Sequence, residues 1–174
     1  MMKYLLSLFI VVSFLSACKK DGVQSDFEKS REAWQDFKKK SNNNYNYTVA
    51  TYSWTGFTAK TIIRVSNGVV IGREYTAYTM DGKTGQQTMY ESWIEDAATL
   101  NSHTGAAQAI TLDAIYEKAA TVWLKVDPKQ NTISFEAKNN GMISACGYIQ
   151  NGCMDDCFIG IHITEIVSQA MVFY

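Results

Sequence analysis

The chain has 174 residues, of which 16 are Lys or Arg and 17 are Asp or Glu, and its formal net charge at pH 7 is −1. This length is sufficient for one domain with a substantial hydrophobic core. The near-neutral charge argues against a nucleic-acid partner, because nucleic-acid binding needs a basic face.

The N-terminus has the pattern of a secretory signal peptide spanning residues 1–17. Lys3 precedes an apolar run at residues 4–14, which is too short to cross a bilayer because a transmembrane helix needs about 20 apolar residues. The run leads into Leu15-Ser16-Ala17-Cys18, which resembles the bacterial lipobox. That resemblance implies lipidation of Cys18 by more than one acyl chain and stable attachment to a membrane. The alternative is an ordinary signal peptide cleaved after Ala17, with Cys18 unmodified.

The residues that follow Cys18 indicate the location and the domain boundary. Lys19 stands where an aspartate favours inner-membrane retention in many Gram-negative bacteria, so the outer membrane is the predicted location in the bacterial envelope. Residues 18–24 are predicted to form a short tether, and residues 25–174 a single domain.

The first predicted helix begins at Ser25. The segment Ser25-Asp26-Phe27-Glu28 has the form of a capping box, in which the serine and the glutamate bond each other's backbone amides. A stripe of core-facing side chains with helical spacing follows: Phe27, Ser30, Trp34 and Phe37. The lysines at 38–40 and the polar residues at 41–44 end this helix.

Most of the remaining chain predicts β-strands, because aromatic and β-branched residues dominate it. Asn67-Gly68 predicts a type I′ hairpin turn. Thr111 is predicted to cap a second helix, whose buried face is Leu112, Ile115, Tyr116 and Ala119. The predicted strands are 45–54, 57–66, 69–79, 86–94, 122–126, 132–137, 142–150 and 158–167. This order predicts an α+β domain: a largely antiparallel sheet of about seven strands, with one N-terminal and one mid-chain helix.

Three cysteines lie near the C-terminus, in a chain whose signal peptide predicts an oxidising compartment. Asn151-Gly152 predicts a second type I′ hairpin, which would place Cys146 opposite Cys157. The sequence therefore predicts a Cys146–Cys157 disulfide and a free Cys153. A Cys146–Cys153 bridge competes if the turn is not a tight hairpin.

Several segments together resemble an uncharacterised domain family of small secreted or lipid-anchored bacterial proteins. The resemblance spans residues 30–167 and rests on these segments: Trp34, Asn44-Tyr45-Asn46-Tyr47-Thr48, Val65-Ser66-Asn67-Gly68-Val69-Val70, the helix starting at Thr111, and Asp155-Asp156. Many relatives carry a cysteine pair after the first strand, where this chain has Thr51-Tyr52-Ser53-Trp54. The resemblance implies a fold and no activity.

The clearest candidates for chemistry are Cys146, Cys153, Cys157 and His162, as a metal site or a thiol-based enzyme. Only Cys153 and Cys157 approach the spacing of a structural zinc site, and exported thiols are prone to oxidation. His103 is predicted to be a loop residue. The carboxylates around Trp93 are predicted to form a polar strand edge: Glu91, Glu95 and Asp96. No catalytic residue, metal or cofactor is predicted.

The aromatic residues of the first strands are the remaining candidates, as a binding surface made of Tyr45, Tyr47, Tyr52, Trp54, Tyr75 and Tyr78. Those that face away from the helices could stack on a glycan or contact a protein partner. The alternative is that they cover the second helix or form cross-strand pairs. The sequence thus predicts a lipid-anchored, non-enzymatic binding or interaction module.

Overall fold

The structure, a computed structural model, describes the backbone of residues 17–155 and 157–169 and their side chains from residue 22 onward. The predicted signal peptide lies outside the described residues except for Ala17. Within the described part, no helix has both the length and the apolar character needed to cross a membrane.

Helix α1 (Ala17–Lys40) is longer than predicted. It includes residues 18–24, so the predicted tether is helical and the predicted start at Ser25 is wrong. Glu28 does not close a capping box; its carboxylate accepts a hydrogen bond from Gln24 Nε2 at 2.9 Å. This contact joins residues four apart on one helical face and favours continuation of the helix through Ser25.

In the described part of the chain, seven antiparallel strands form a single sheet. In chain order they are β1 (Tyr45–Tyr52), β2 (Thr58–Ser66), β3 (Val69–Met80), β4 (Gln87–Asp96), β5 (Asn131–Glu136), β6 (Ala145–Gln150) and β7 (Ile159–Ser168). Their order across the sheet is β4-β3-β2-β1-β7-β6-β5, and each neighbouring pair is antiparallel. Helix α2 (Leu112–Thr121) lies between β4 and β5 in the chain. The predicted α+β class, with two helices and a seven-stranded sheet, is therefore confirmed.

Both helices cover the same face of this sheet. Tyr45 pairs with Val65 and Tyr47 pairs with Ile63, and all four side chains are buried on that face. They pack against the predicted stripe of α1 and the predicted face of α2, whose buried residues are Leu112, Ile115, Tyr116 and Ala119. The opposite face of the sheet is open, because neither of the described helices packs on it.

Asn-Gly pairs determine two tight turns. Asn67 and Gly68 have φ values of 49° and 77°, which confirms the type I′ hairpin between β2 and β3. Asn140-Gly141, with φ values of 53° and 85°, forms a second two-residue turn that the sequence analysis did not identify. At Asn151-Gly152 only the glycine has positive φ, so the predicted type I′ turn does not form there.

The cysteine pairing differs from the prediction because the β6–β7 connection is longer than a tight hairpin. Cys146 pairs in the ladder with Ile161, not with Cys157, and its side chain faces the core. The disulfide joins Cys153 and Cys157 within the connecting loop, with Cα atoms 6.2 Å apart, and leaves Cys146 free. The predicted Cys146–Cys157 bridge and free Cys153 are therefore wrong, since turn type and loop length determine hairpin register.

Residues 122–126, predicted as a strand, contain a short 3₁₀ helix at Trp123–Lys125. The backbone amide of Val122 donates to Lys118 O, so helical hydrogen bonding runs directly on from α2. Trp123 and Leu124 are buried. A short apolar run fits a buried strand or a buried helical turn equally well, and here continuity with α2 decides between them.

Candidate functional site

Three of the six candidate aromatic residues lie in the core and not on a surface. Tyr45, Tyr47 and Tyr75 are buried on the helix-covered face. Tyr45 Oη accepts the amide of Leu112 at 3.0 Å, and Tyr47 Oη donates to the carbonyl of Ile110, so both phenols hold the start of α2. Burial raises the pKa of both phenols above the ordinary tyrosine value. These three residues therefore do not belong to the predicted binding surface: Tyr45 and Tyr47 support the second helix, and Tyr75 packs beside Trp93.

The residues that suggested a family resemblance also make structural contacts. Asn44 Oδ1 accepts the Ser66 hydroxyl at 2.9 Å and the Asn67 amide at 3.0 Å, which ties the end of α1 to the β2–β3 turn. Trp34 Nε1 donates to Asp113 Oδ1 at 3.0 Å and so joins α1 to the first turn of α2. These residues therefore have structural roles, and their contacts indicate no binding site.

The other three aromatic candidates lie together at one end of the sheet: Tyr52 and Tyr78 are on the open face, and Trp54 is in the β1–β2 turn. Tyr52 and Trp54 are 64% and 76% exposed, and Tyr78 is half-buried. Strand register aligns Tyr52, Thr58, Tyr78 and Met89 in one row across β1, β2, β3 and β4. At the usual strand spacing, this row is about 14 Å long.

Two methionines complete this surface. Met89 lies in the row, and Met80 lies beside the β1–β2 turn that carries Trp54, because its amide donates to Gly56 O at 3.1 Å. Both methionines are exposed. We define the aromatic patch as Tyr52, Trp54, Tyr78, Met80 and Met89. Exposed apolar side chains grouped in this way are typical of a contact site.

A second cluster, which the sequence analysis missed, is centred on a buried ion pair between β3 and β4. Arg73 and Glu95 are opposite each other in the ladder and form a bidentate pair, with N–O distances of 2.9 and 2.8 Å. Arg73 also donates to the carbonyls of His103 and Ala107, both at 2.9 Å. Glu95 accepts the amides of Asn101 and His103 at 3.0 and 2.8 Å. The pair therefore holds the irregular segment 97–110 against the sheet.

The histidine in this cluster belongs to the same packing arrangement. His103 Nδ1 lies 3.1 Å from Glu95 Oε1, and its ring stacks on Trp93 with centroids 4.3 Å apart. Trp93 in turn stacks on Tyr75 at 5.0 Å. The hydrogen bond from Arg73, followed by those from the two amides, holds the pKa of Glu95 well below its usual range. Glu95 thus remains ionised with its acceptor positions occupied, so we assign the cluster a structural role.

The sequence contained a signal for this ion pair. Side chains that alternate towards the core include those at positions 73 and 75 of β3 and at positions 93 and 95 of β4. A positive and a negative residue at core-facing positions of neighbouring strands indicate a buried pair, since isolated buried charges are rare. The sequence analysis placed Glu95 at a polar strand edge. That prediction is wrong for Glu95, because its side chain is fully buried.

The C-terminal candidates are not brought together as one site. Cys146 faces the core, and burial raises the pKa of its thiol to about 12. Cys153 and Cys157 are joined as a disulfide. His162 lies on the opposite face of the sheet from Cys146, and its ring stacks on Phe158 at 4.3 Å. Across residues 17–155 and 157–169, no group of three or more His, Cys, Asp or Glu side chains is placed to hold a metal ion.

No protein-family model matches this chain, and no curated protein and no solved structure matches it. The resemblance to a family of bacterial lipoprotein domains therefore stays a prediction.

Proposed function

We propose that this protein is a lipid-anchored protein of the bacterial cell envelope, attached through Cys18, and that it is a non-enzymatic interaction module. Its contact surface is the aromatic patch. The observation that carries the proposal is the exposure of Tyr52 on the sheet face that neither helix covers, together with the exposure of Trp54 in the turn that follows it. Exposed Trp, Tyr and Met side chains are enriched at contact surfaces and are costly to leave in water.

The sequence supports the anchor, and the fold supports the interaction surface. The Leu15-Ser16-Ala17-Cys18 segment resembles a lipobox, and lipidation by more than one chain gives stable attachment. Lys19 favours the outer membrane. Other aromatic candidates, such as Tyr45 and Tyr47, are buried in the core. The candidates that remain available for contact with a partner are those of the aromatic patch.

Metabolic labelling with a palmitate analogue tests the anchor. The full chain is expressed in a Gram-negative host, and label is expected in the wild type but not in Cys18→Ala. A Cys153→Ser/Cys157→Ser double variant is the matched control and should keep the label. Absence of label from the wild type would show that the chain is not a lipoprotein.

Cysteine accessibility tests the contact surface. Trp54→Cys and Ile94→Cys place a thiol near opposite ends of the sheet, at positions whose native side chains are 76% and 64% exposed. In isolated envelopes, maleimide should label position 54 more slowly than in the unlipidated soluble protein, and position 94 at the same rate in both. Equal rates for position 54 in the two preparations would contradict the proposed contact surface.

A further inference from the structure

The outer edge of β5 carries backbone groups without hydrogen-bond partners. The amide of Asn151 donates to Gln130 O at 2.9 Å, and the β5–β6 ladder continues from this pair in the same register. Bonded pairs alternate along an antiparallel ladder, so the even-numbered residues of β5 bond to β6, whereas Ile133 and Phe135 point their amides and carbonyls away from it. Within the described residues, these outward groups of Ile133 and Phe135 have no partner. A further strand can therefore pair with this edge.

The opposite edge of the sheet, β4, has features that hinder such pairing, and β5 lacks them. β4 carries a bulge at Tyr90 and the charges of Glu91 and Asp96. The amide of Asp96 is also occupied by the Thr99 hydroxyl at 3.0 Å. β5 pairs regularly along its whole length and contains no Pro or Lys, and its one charged residue is the last, Glu136. Because bulges and charged side chains protect edge strands from pairing, β5 is the edge that is left open.

The hydrophobic core is incomplete at the same edge. Ile133 and Phe135 face the helix-covered side and pack against the core, but both are only half-buried. A cleft of about 400 Å³ lies between α1 and the end of β5, and its lining includes Lys29, Ser30, Phe135 and Lys138. Lys29 and Lys138 are each paired with an acidic residue, at 3.7 and 2.7 Å, so the charges at the cleft are balanced. An occupant of this edge therefore has to bring a strand for the backbone groups and apolar side chains for the core.

The β5 strand of a second copy supplies both. In an antiparallel pair with its two-fold axis at Ser134, Ile133 of each copy lies opposite Phe135 of the other. The outward amides and carbonyls of these two residues then bond each other. On the exposed side, Thr132 lies opposite Glu136, and the two Ser134 side chains meet at the axis. Within the paired strands, apolar side chains therefore meet apolar ones and no like charges are opposed.

We propose that the protein forms a symmetric dimer through β5, so that two seven-stranded sheets join edge to edge. The inference does not depend on the proposed lipid anchor. It rests on the self-complementarity of β5, because the same short strand provides the unpaired backbone groups, the apolar side chains that face the core and a register free of charge repulsion.

The oligomeric state of the unlipidated protein tests this dimer. In the Cys18→Ser background, sedimentation equilibrium should give the mass of two chains. Ser134→Lys places two lysines opposite each other at the axis and should give the mass of one chain, because like charges directly opposite each other are destabilising. Thr132→Lys is the matched control: it adds the same charge on the same exposed side of β5, but opposite Glu136, and should remain dimeric.

An exchange of charge separates loss of the interface from loss of the fold. Ser134→Glu alone should also give single chains, and an equal mixture of Ser134→Lys and Ser134→Glu should restore the mass of two chains, because opposite charges then meet at the axis. A Cys18→Ser protein that sediments as one chain would overturn the dimer and leave β5 to a strand of another protein. A dimer that Ser134→Lys leaves intact would place the contact on another surface and overturn the proposal. Dissociation by Thr132→Lys, or a mixture that stays as single chains, would overturn it as well.

Discussion

Replacing Tyr116 with phenylalanine removes one oxygen atom from the point where three parts of the chain meet. The Tyr116 hydroxyl donates to the carbonyl of Ser30 at 3.1 Å and lies 2.8 Å from the Ser30 hydroxyl. It also accepts the amide of Ile143 at 2.9 Å. The three residues are buried, so water does not replace the lost partner. The substitution therefore breaks contacts among α1, α2 and the segment before β6.

The expected loss follows from these contacts. Each buried hydrogen bond contributes about 1 kcal/mol net, and leaving a buried amide such as Ile143 N–H without a partner costs about 1–3 kcal/mol. The Ser30 hydroxyl can turn to a carbonyl of its own helix, so its loss is the smallest of the three. We expect Tyr116→Phe to lower the free energy of unfolding by about 3 kcal/mol. For a chain of this size, that corresponds to a fall in Tm of about 6–12 °C.

Urea unfolding of the mature protein measures this loss, in a Cys18→Ser background that prevents lipidation. Tyr148→Phe is the matched control: this tyrosine is half-buried in β6, and within the described residues its hydroxyl forms no hydrogen bond. Tyr148→Phe should change the free energy of unfolding by less than about 0.5 kcal/mol. An unchanged m-value would show that both variants unfold from the same compact state. If Tyr116→Phe is as stable as Tyr148→Phe, the assigned role of the hydroxyl is refuted.

Two further predictions concern the buried charge and the free thiol. Glu95→Gln should lower stability at neutral pH, because it leaves the Arg73 charge without its carboxylate. Folding lowers the pKa of Glu95, so the contribution of its ionised carboxylate to stability is full above the ordinary glutamate pKa and is lost as pH falls through the lower folded pKa. The free energy of unfolding should therefore fall less steeply with decreasing pH in the variant than in the wild type. Parallel curves of unfolding free energy against pH would contradict this. In the Cys18→Ser background without reductant, Cys146 should resist maleimide while the protein is folded, because its thiol is buried and the thiol pKa is raised to about 12. After unfolding, Cys146 should react with one equivalent of maleimide. Three reactive thiols would exclude the Cys153–Cys157 bridge.

Local sequence signals were sufficient where neighbouring residues alone decide the conformation. Thr111 caps α2 as predicted, with its hydroxyl accepting the amide of Ala114. Asn67-Gly68 forms the predicted turn because both residues tolerate positive φ. The capping box at Ser25 did not form, because a capping motif also fits a helix interior when the preceding residues are compatible with a helix.

Contacts between distant parts of the chain decided the candidate site. Alternation along β1 correctly divides its aromatic residues between the two faces of the sheet, but it does not indicate which face the helices cover. The packing of α1 and α2 buries Tyr45 and Tyr47 and leaves Tyr52 exposed. The same limit applies to Glu95, whose burial depends on pairing with Arg73 from another strand.

By itself the sequence determined the α+β class, the core-facing stripes of both helices and the β2–β3 turn, since periodicity and turn chemistry are local properties. It also carries the lipobox-like segment on which the proposed anchor rests. Only the tertiary structure decided that the cysteines pair as Cys153–Cys157, because the length of the β6–β7 loop determines which residues meet. The packing of α1 on the sheet was decided in the same way, by contacts of Trp34 with Tyr45 and of Phe27 with Phe135.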